Sequence, residues 1–371
     1  MNLSGMTLTG GFTFTTPPLI YKLYSWGYNG NGSAGQNSDT EYYTTINQVG
    51  SDNTWSKLSN SGGPQNAYSV VGAVKDNGTI WSWGDNTYGQ LGLNDTNPRS
   101  SPTQIGSDTS WSNVSAGFAH MMGLKNNGTM WGWGFSVYGQ TGVDDNATLF
   151  SPVQVGTGTY WSSVSAGNQH TLSIRNDGTL WTFGRANYGQ TGLNITTSIS
   201  SPSQVGTDTN WASVVALVDS SAAIKTDGTL WVWGRNNYGQ LGLNDTHNRS
   251  SPVQVGTTGS WSKVAGYNWI IATKKDKTLW SWGNNDTGQL GQNNVVYRSS
   301  PIQIGSGTNW VTPGPIGAIK SDGTLWGWGD GIWGQLDNSS TTAYSSPVQI
   351  GSATNWVSIV GQKSILGLTN I

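Results

Sequence analysis

The chain has 371 residues, 17 basic and 19 acidic side chains and a formal net charge of −2, with 10 % charged residues against roughly 25 % in an ordinary soluble domain. It contains no cysteine, which excludes a disulfide framework and thiolate metal sites. A near-neutral chain has no field for gripping a phosphate backbone, so nucleic acid is not expected as a partner. No apolar run approaches the ~18 residues of a membrane helix, so no membrane insertion is expected, and Met1 to Thr16 lacks the basic start and apolar stretch of a secretory signal.

Residues 1–18 form a segment of their own. Met6/Leu8 and Phe12/Phe14 alternate with threonine around Gly10-Gly11, a period of two that predicts a small hairpin or two strand segments. Pro17-Pro18 ends it as a stiff linker. A lone hairpin is marginal in water. Leu3, Met6, Leu8, Phe12 and Phe14 are therefore expected to pair with another surface, as an attachment arm.

From residue 19 the chain repeats. Tyr24-Ser25-Trp26-Gly27 returns as Trp-x-Trp-Gly from Trp81, Trp131, Trp231, Trp280 and Trp326, and as Trp181-Thr182-Phe183-Gly184, at steps of 57, 50, 50, 50, 49 and 46 residues along the chain. A Gly-Gln pair follows each copy, from Gly35-Gln36 and Gly89-Gln90 to Gly334-Gln335. Ser-Pro-x-Gln-(Ile/Val)-Gly comes next, then a lone tryptophan: Trp55, Trp111, Trp161, Trp211, Trp261, Trp310 and Trp356. In the third unit the strands are expected at Trp111 to Ala116, His120 to Lys125, Thr129 to Trp133 and Pro152 to Val155. Asn127-Gly128 forms a two-residue hairpin turn between the middle pair. The sixth unit departs, with Asp276-Lys277 where the others have glycine.

Strands in fours at a period near 50 predict propeller blades. Both alternating faces of Thr229-Leu230-Trp231-Val232-Trp233-Gly234 are apolar, as a blade packed on both sides requires. The start of the ring supplies two strands and its end two more. The expected fold is an all-β, seven-bladed propeller over 19–371, its closing blade made from 19–50 plus 352–371. Closure removes the free sheet edge of an open array.

These motifs (Ala-Gly-x-x-His, Asp/Asn-Gly-Thr, Trp-x-Trp-Gly-x-Asn-x-Tyr-Gly-Gln-Leu-Gly, Pro-x-Gln-Val) resemble the regulator-of-chromosome-condensation repeat over nearly the whole chain. The resemblance implies a seven-bladed ring. It does not fix function, because such folds host unrelated activities: an exchange factor for a small GTPase, ubiquitin-ligase modules, a β-lactamase inhibitor and many bacterial and phage proteins. The spacing from Trp81 to Trp280 leaves no inserted wedge of the exchange-factor kind, and there is no basic arm.

Of 21 tryptophans, only Trp269 and Trp333 stand outside the repeat positions, and Trp333 replaces the tyrosine of Tyr88, Tyr138, Tyr188 and Tyr238. His120 and His170 read as buried histidines bonded to a neighbouring blade, and His247 as a solvated loop residue. Asp177, Asp227 and Asp322 read as turn residues. No catalytic pair, metal site or cofactor is expected. The candidate binding rim is Arg99, Tyr238, Arg249, Trp269, Arg298 and Trp333, a mix suited to protein or glycan recognition.

Residues 1–18 are similar to short N-terminal segments of structural proteins of marine tailed bacteriophages. That resemblance implies a non-enzymatic virion protein, capsid-decorating or tail/fibre-associated, made in the host cytoplasm. Its partners would be other virion proteins through residues 1–18, with host surface glycans at the disc. The alternative is a free lectin-like or inhibitor-like binding propeller; an exchange-factor-type module fits less well.

Overall fold

Six of the repeats close their middle hairpin with their own side chains. The Asp177 carboxylate accepts from the Thr179 N–H at 3.0 Å and its hydroxyl at 2.6 Å, and that hydroxyl accepts from Trp181 Nε1 at 2.8 Å. The same three bonds start from Asn77, Asn127, Asp227, Asp276 and Asp322. The turn needs a left-handed residue after the acceptor. Gly178 supplies it at φ 76°, and in the sixth unit Lys277 adopts φ 63° itself.

The computed structural model describes residues 21–61, 69–144, 146–336 and 341–371. The attachment-arm residues Leu3, Met6, Leu8, Phe12 and Phe14 lie outside the described residues. In the third unit the strands run Trp111–Ala116, His120–Lys125, Met130–Gly134 and Leu149–Gln154, all antiparallel. The fourth strand starts three residues earlier than the sequence suggested. Its ladder breaks between Leu149 and Val153, across Pro152, which has no N–H to donate.

Six such four-stranded blades occupy 55–104, 111–154, 161–204, 211–254, 261–303 and 310–350, here blades two to seven. Blade one joins the two ends of the ring. Trp356–Val360 and Ser364–Asn370 pair and continue into Tyr21–Tyr28 and Tyr42–Gln48. The seam runs from Tyr21↔Asn370 to Gly27↔Ser364. Helical structure among the described residues is one 3-10 turn, Gly30–Gly32.

The core lies between blades. Val70, Ile80 and Leu91 of blade two pack with Trp111, Met121 and Trp133 of blade three, and the other interfaces repeat the arrangement. The second tryptophan of Trp-x-Trp-Gly is fully buried and donates backwards to the preceding blade: Trp133 Nε1 to Gln90 O at 3.0 Å, Trp233 to Gln190 O at 2.9 Å, Trp26 to Gln335 O at 2.7 Å. Trp83 donates to Ser33 O at 3.1 Å. Gly32-Ser33 therefore takes the Gly-Gln place in the first unit, and the expected Gly35-Gln36 sits one loop step later. Gly134 is obligatory at this junction. A Cβ there would lie 2.5 Å from Ala119 O, at φ 92°.

The first strand of each blade lies nearest the axis. Neighbouring first strands are tied by Ala116 N–H to Ser59 Oγ, Ala166 N–H to Ser115 Oγ and Ala216 N–H to Ser165 Oγ, each 2.9 Å. The axial loops touch: a Cβ on Gly117 would meet Gly167 O at 2.5 Å.

Candidate functional site

The topology gives the disc two different faces. The hairpins and the links between blades share one. The loops joining first to second and third to fourth strands share the other, called the loop face here. These loops grow longest after Gly-Gln, where no ladder constrains them.

The loop face carries most of the exposed large apolar side chains among the described residues; Val153, Tyr160 and Ile371 lie elsewhere. Val137, Ile195, Val295, Val296, Tyr297 and Ile332 all lie on third-to-fourth-strand loops, at 36–58 % exposure. Beneath them runs a series of contacts that the sequence reading missed. In five of the seven units the residue after Trp-x-Trp-Gly touches the preceding blade at or near its Tyr position. Phe135 packs on Tyr88 with centroids 4.8 Å apart, and Tyr28 on Trp333 at 5.0 Å. Arg185 lies over Tyr138 at 5.1 Å and Arg235 over Tyr188 at 4.9 Å. Asn31 Nδ2 donates to Asp85 Oδ2 at 2.6 Å. The available signal was variability: this position reads Tyr28, Asp85, Phe135, Arg185, Arg235, Asn284 and Asp330 inside an otherwise constant motif.

The six rim residues are not one cluster. Arg99 Nη2 pairs with Asp95 at 2.6 Å and Arg249 Nη2 with Asp245 at 2.5 Å, each also donating to its own loop carbonyls. Arg298 differs: Asn294 stands where the others have aspartate, and its buried Nε has no hydrogen-bond partner. Tyr238 packs against Tyr297 at 5.7 Å, and Asp286, bonded to the Tyr297 hydroxyl, raises that phenol above its usual range. Trp333 is half-buried between Tyr28 and Tyr42.

Trp269 does not belong to the rim. It is 3 % exposed and donates Nε1 to Pro315 O of the next blade at 2.8 Å. It begins its strand where His120 and His170 begin theirs. Ala265-Gly266-Tyr267-Asn268-Trp269 is thus the Ala-Gly-x-x-His motif with its last residue changed, a register visible in the sequence. The histidines play the same cross-blade part. His120 Nε2 lies 3.1 Å from Thr171 Oγ1 and His170 Nε2 2.9 Å from Ser221 Oγ. Each hydroxyl is committed to a glutamine carbonyl, Thr171 to Gln140 O and Ser221 to Gln190 O, both at 2.8 Å. The imidazoles must therefore donate from Nε2. Burial lowers both histidines to about 3, His170 adding a smaller push on His120. They are neutral structural groups.

At the axis, loops from all seven blades enclose a cavity of about 90 Å3 lined by residues including Asn60, Phe118, Asn168, Val218, Tyr267 and Gln362. Asn168 Oδ1, Tyr267 OH and Gln362 Oε1 are buried there without a hydrogen-bond partner. Burial, with the Asp219 charge second, raises the Tyr267 phenol far above its usual range. The space suits a few waters. Among the described residues, no three His, Cys, Asp or Glu side chains meet as a metal cluster.

On the hairpin side a second series was missed. A cation ends the second strand of blades two to seven and lies between two indoles: Lys125 sits 4.8 Å from Trp111 and 3.8 Å from Trp131, Lys320 4.9 Å from Trp310 and 3.7 Å from Trp326. Its signal was the Lys or Arg one or two residues ahead of each turn.

A profile of the RCC1-like domain matches residues 69–366. The solved structure of human WBSCR16 superposes with a TM-score of 0.81 at 20 % identity, covering 94 % of this chain and 99 % of that one. Prp20p from Saccharomyces cerevisiae, solved in a study of its binding to Gsp1p and histones, gives 0.81 at 16 % identity over 95 % and 92 %. At these identities the likeness shows a shared fold.

Proposed function

The chain belongs to the RCC1-like domain family, and on that premise we propose that it is a non-enzymatic binding propeller whose loop face engages a protein partner. The observation that carries this reading is the gathering of Val137, Ile195, Val295, Val296, Tyr297 and Ile332 on one face. Exposed apolar side chains concentrated on loops over a rigid scaffold mark an interaction surface. Prp20p, a protein of the same fold studied for its binding to Gsp1p and histones, is a precedent for partner binding by such a disc. The hairpin face is a poorer candidate, because its carboxylates are held by threonines and lysines of the same blades.

The setting we propose is the virion of a tailed phage, with residues 1–18 as the attachment arm and the propeller displayed outward. The resemblance of that segment to phage structural proteins supports it, as does the 10 % charge content, since salt screens surface charge within about 10 Å. Quantitative mass spectrometry of particles purified from the source tests the setting. Many copies per particle, lost on deletion of residues 1–18, is the expected result; absence from particles overturns it. The free-propeller alternative would then stand on the loop face alone. Val295→Ser with Val296→Ser tests that face: binding to the captured partner should fall at unchanged thermal stability.

A further inference from the structure

The flank of the disc holds grooves between blades, and the six copies of the cation clamp provide their own controls. In three of them the sandwiched lysine is neutralised by an aspartate from the inter-blade link: Lys75 by Asp52, Lys125 by Asp108 at 2.7 Å, Lys225 by Asp208 at 2.8 Å. In blade four the cation is Arg175, covered by Tyr160 at 4.1 Å. In blades six and seven the aspartate is gone. Thr258 and Gly307 occupy its place, and the Lys274 and Lys320 ammonium groups make no ion pair or hydrogen bond among the described residues. The turn carboxylates Asp276 and Asp322 lie nearby, but each is engaged by its own threonine.

Two further ties are dropped at the same interfaces. Gln104, Gln154, Gln204 and Gln349 donate to the glycine carbonyl two residues on, at 2.8–3.2 Å, whereas Gln254 and Gln303 make no such bond. Asn37, Asp144 and Asn194 accept from a serine of the next blade, whereas Asn244 and Asn293 make no such bond. The grooves are open at about 420 Å3 beside Lys274 and about 460 Å3 beside Lys320, and the one beside the paired Lys75 is open too at about 500 Å3, so the free ammonium and not the space sets the two apart. Each is the size of a small-ligand pocket.

We infer that the groove between blades five and six and the groove between blades six and seven are paired sites for an acidic sugar, a pyranose ring bearing one carboxylate. The ammonium of Lys274 or Lys320 takes the carboxylate, a charge-assisted bond in a partly desolvated setting. The partly exposed indoles of Trp280 and Trp326, against which the two ammonium groups lie, offer apolar surface to the C–H face of the ring. The free carboxamides of Asn244, Gln254 and Asn293 meet ring hydroxyls. A neutral sugar leaves the ammonium unpaired, and a small inorganic anion leaves the indoles uncovered. These sites lie off the loop face and stand whether or not that face binds a protein.

The test is a titration of the full chain with glucuronate, followed by tryptophan fluorescence and by indole N–H shifts in NMR. Saturable binding in the millimolar range is expected, with glucose and acetate each roughly tenfold weaker or more. Thr258→Asp with Gly307→Asp restores the missing salt bridges, and a Cβ at Gly307 meets nothing closer than 3.4 Å. That double variant should lose glucuronate binding roughly tenfold or more with its melting temperature intact. Lys274→Gln with Lys320→Gln should lose it likewise. Absence of saturable binding, equal binding of glucose, or full binding by the folded aspartate variant would each overturn the assignment.

Discussion

Blades three to five and blades six and seven are built from one repeat and differ in which of its bonds they keep. The first arc has the Ser115 and Ser165 ties between inner strands, the buried His120 and His170, and aspartates on two of its three clamp cations. The second arc has Ala265 in place of the tying serine, Trp269 in place of histidine, Lys277 in place of the turn glycine and Asn294 in place of the loop aspartate. Yet the strands keep the same pairing and the interfaces the same tryptophans. Apolar burial between blades therefore carries the architecture, and the polar ties are a layer that can be dropped one at a time. Where a tie is dropped, a charged or amide group is set free, as Lys274, Lys320 and Arg298 are.

The largest effects should not distinguish the arcs. Trp133→Ala and Trp328→Ala remove equivalent fully buried indoles, 0 % and 1 % exposed. Each should cost about 3–5 kcal/mol in equilibrium urea unfolding. A much smaller loss at Trp328 would break the view that both arcs rest on the same interface. Acid should separate them. Buried His120 and His170 have values near 3 against 6.5 for a free imidazole, so the unfolded chain binds more protons below pH 6.5 and stability falls as pH falls. At pH 5 the loss is about 2 kcal/mol for each histidine. Urea midpoints from pH 8 to 5 should show it, and His170→Asn should flatten the slope by half.

The salt-bridged and unpaired arginines sharpen the contrast on a smaller scale. Arg99→Ala removes a half-exposed pair with Asp95 and should cost under about 1 kcal/mol. Arg298→Ala has no carboxylate to orphan and should change stability by about 0.5 kcal/mol or less. Thermal melts of the two variants side by side decide it. Smallest of all, Asp108→Asn should lower stability by a few tenths of a kcal/mol, because Asp108 is 41 % exposed although Lys125 and Ser110 hold its carboxyl at about 2.

Much of the ring was legible because the repeat writes its turn and its tryptophans six or seven times over. Asp177-Gly178-Thr179 states its turn outright, since Asx acceptor, left-handed glycine and threonine donor are local. The site was less legible. Trp269 looked off-pattern when judged by residue type, although its distance from Ala265-Gly266 placed it on the histidine position. Arg99, Arg249 and Arg298 looked equivalent, and the residue four positions upstream separates them: Asp95 and Asp245 against Asn294. The Gly-Gln pair of the first unit was misplaced by three residues because Gly32-Ser33 preserves the backbone carbonyl that Trp83 needs while changing the side chain.

The amino-acid sequence by itself determined the blade. Period-two apolar alternation on both faces, local turn chemistry and a fixed period are properties of short stretches of chain, and they specify a four-stranded sheet that must be covered on two sides. Only the tertiary structure decided what the spare groups do. Whether a clamp lysine such as Lys125 is paired depends on the link that precedes its blade folding back over its indoles, and whether Trp333 is bare or packed against Tyr28 depends on a residue across the closing seam. Electrostatic and ring contacts act over a few ångströms of space and not along the chain, so their partners become readable once the ring is closed.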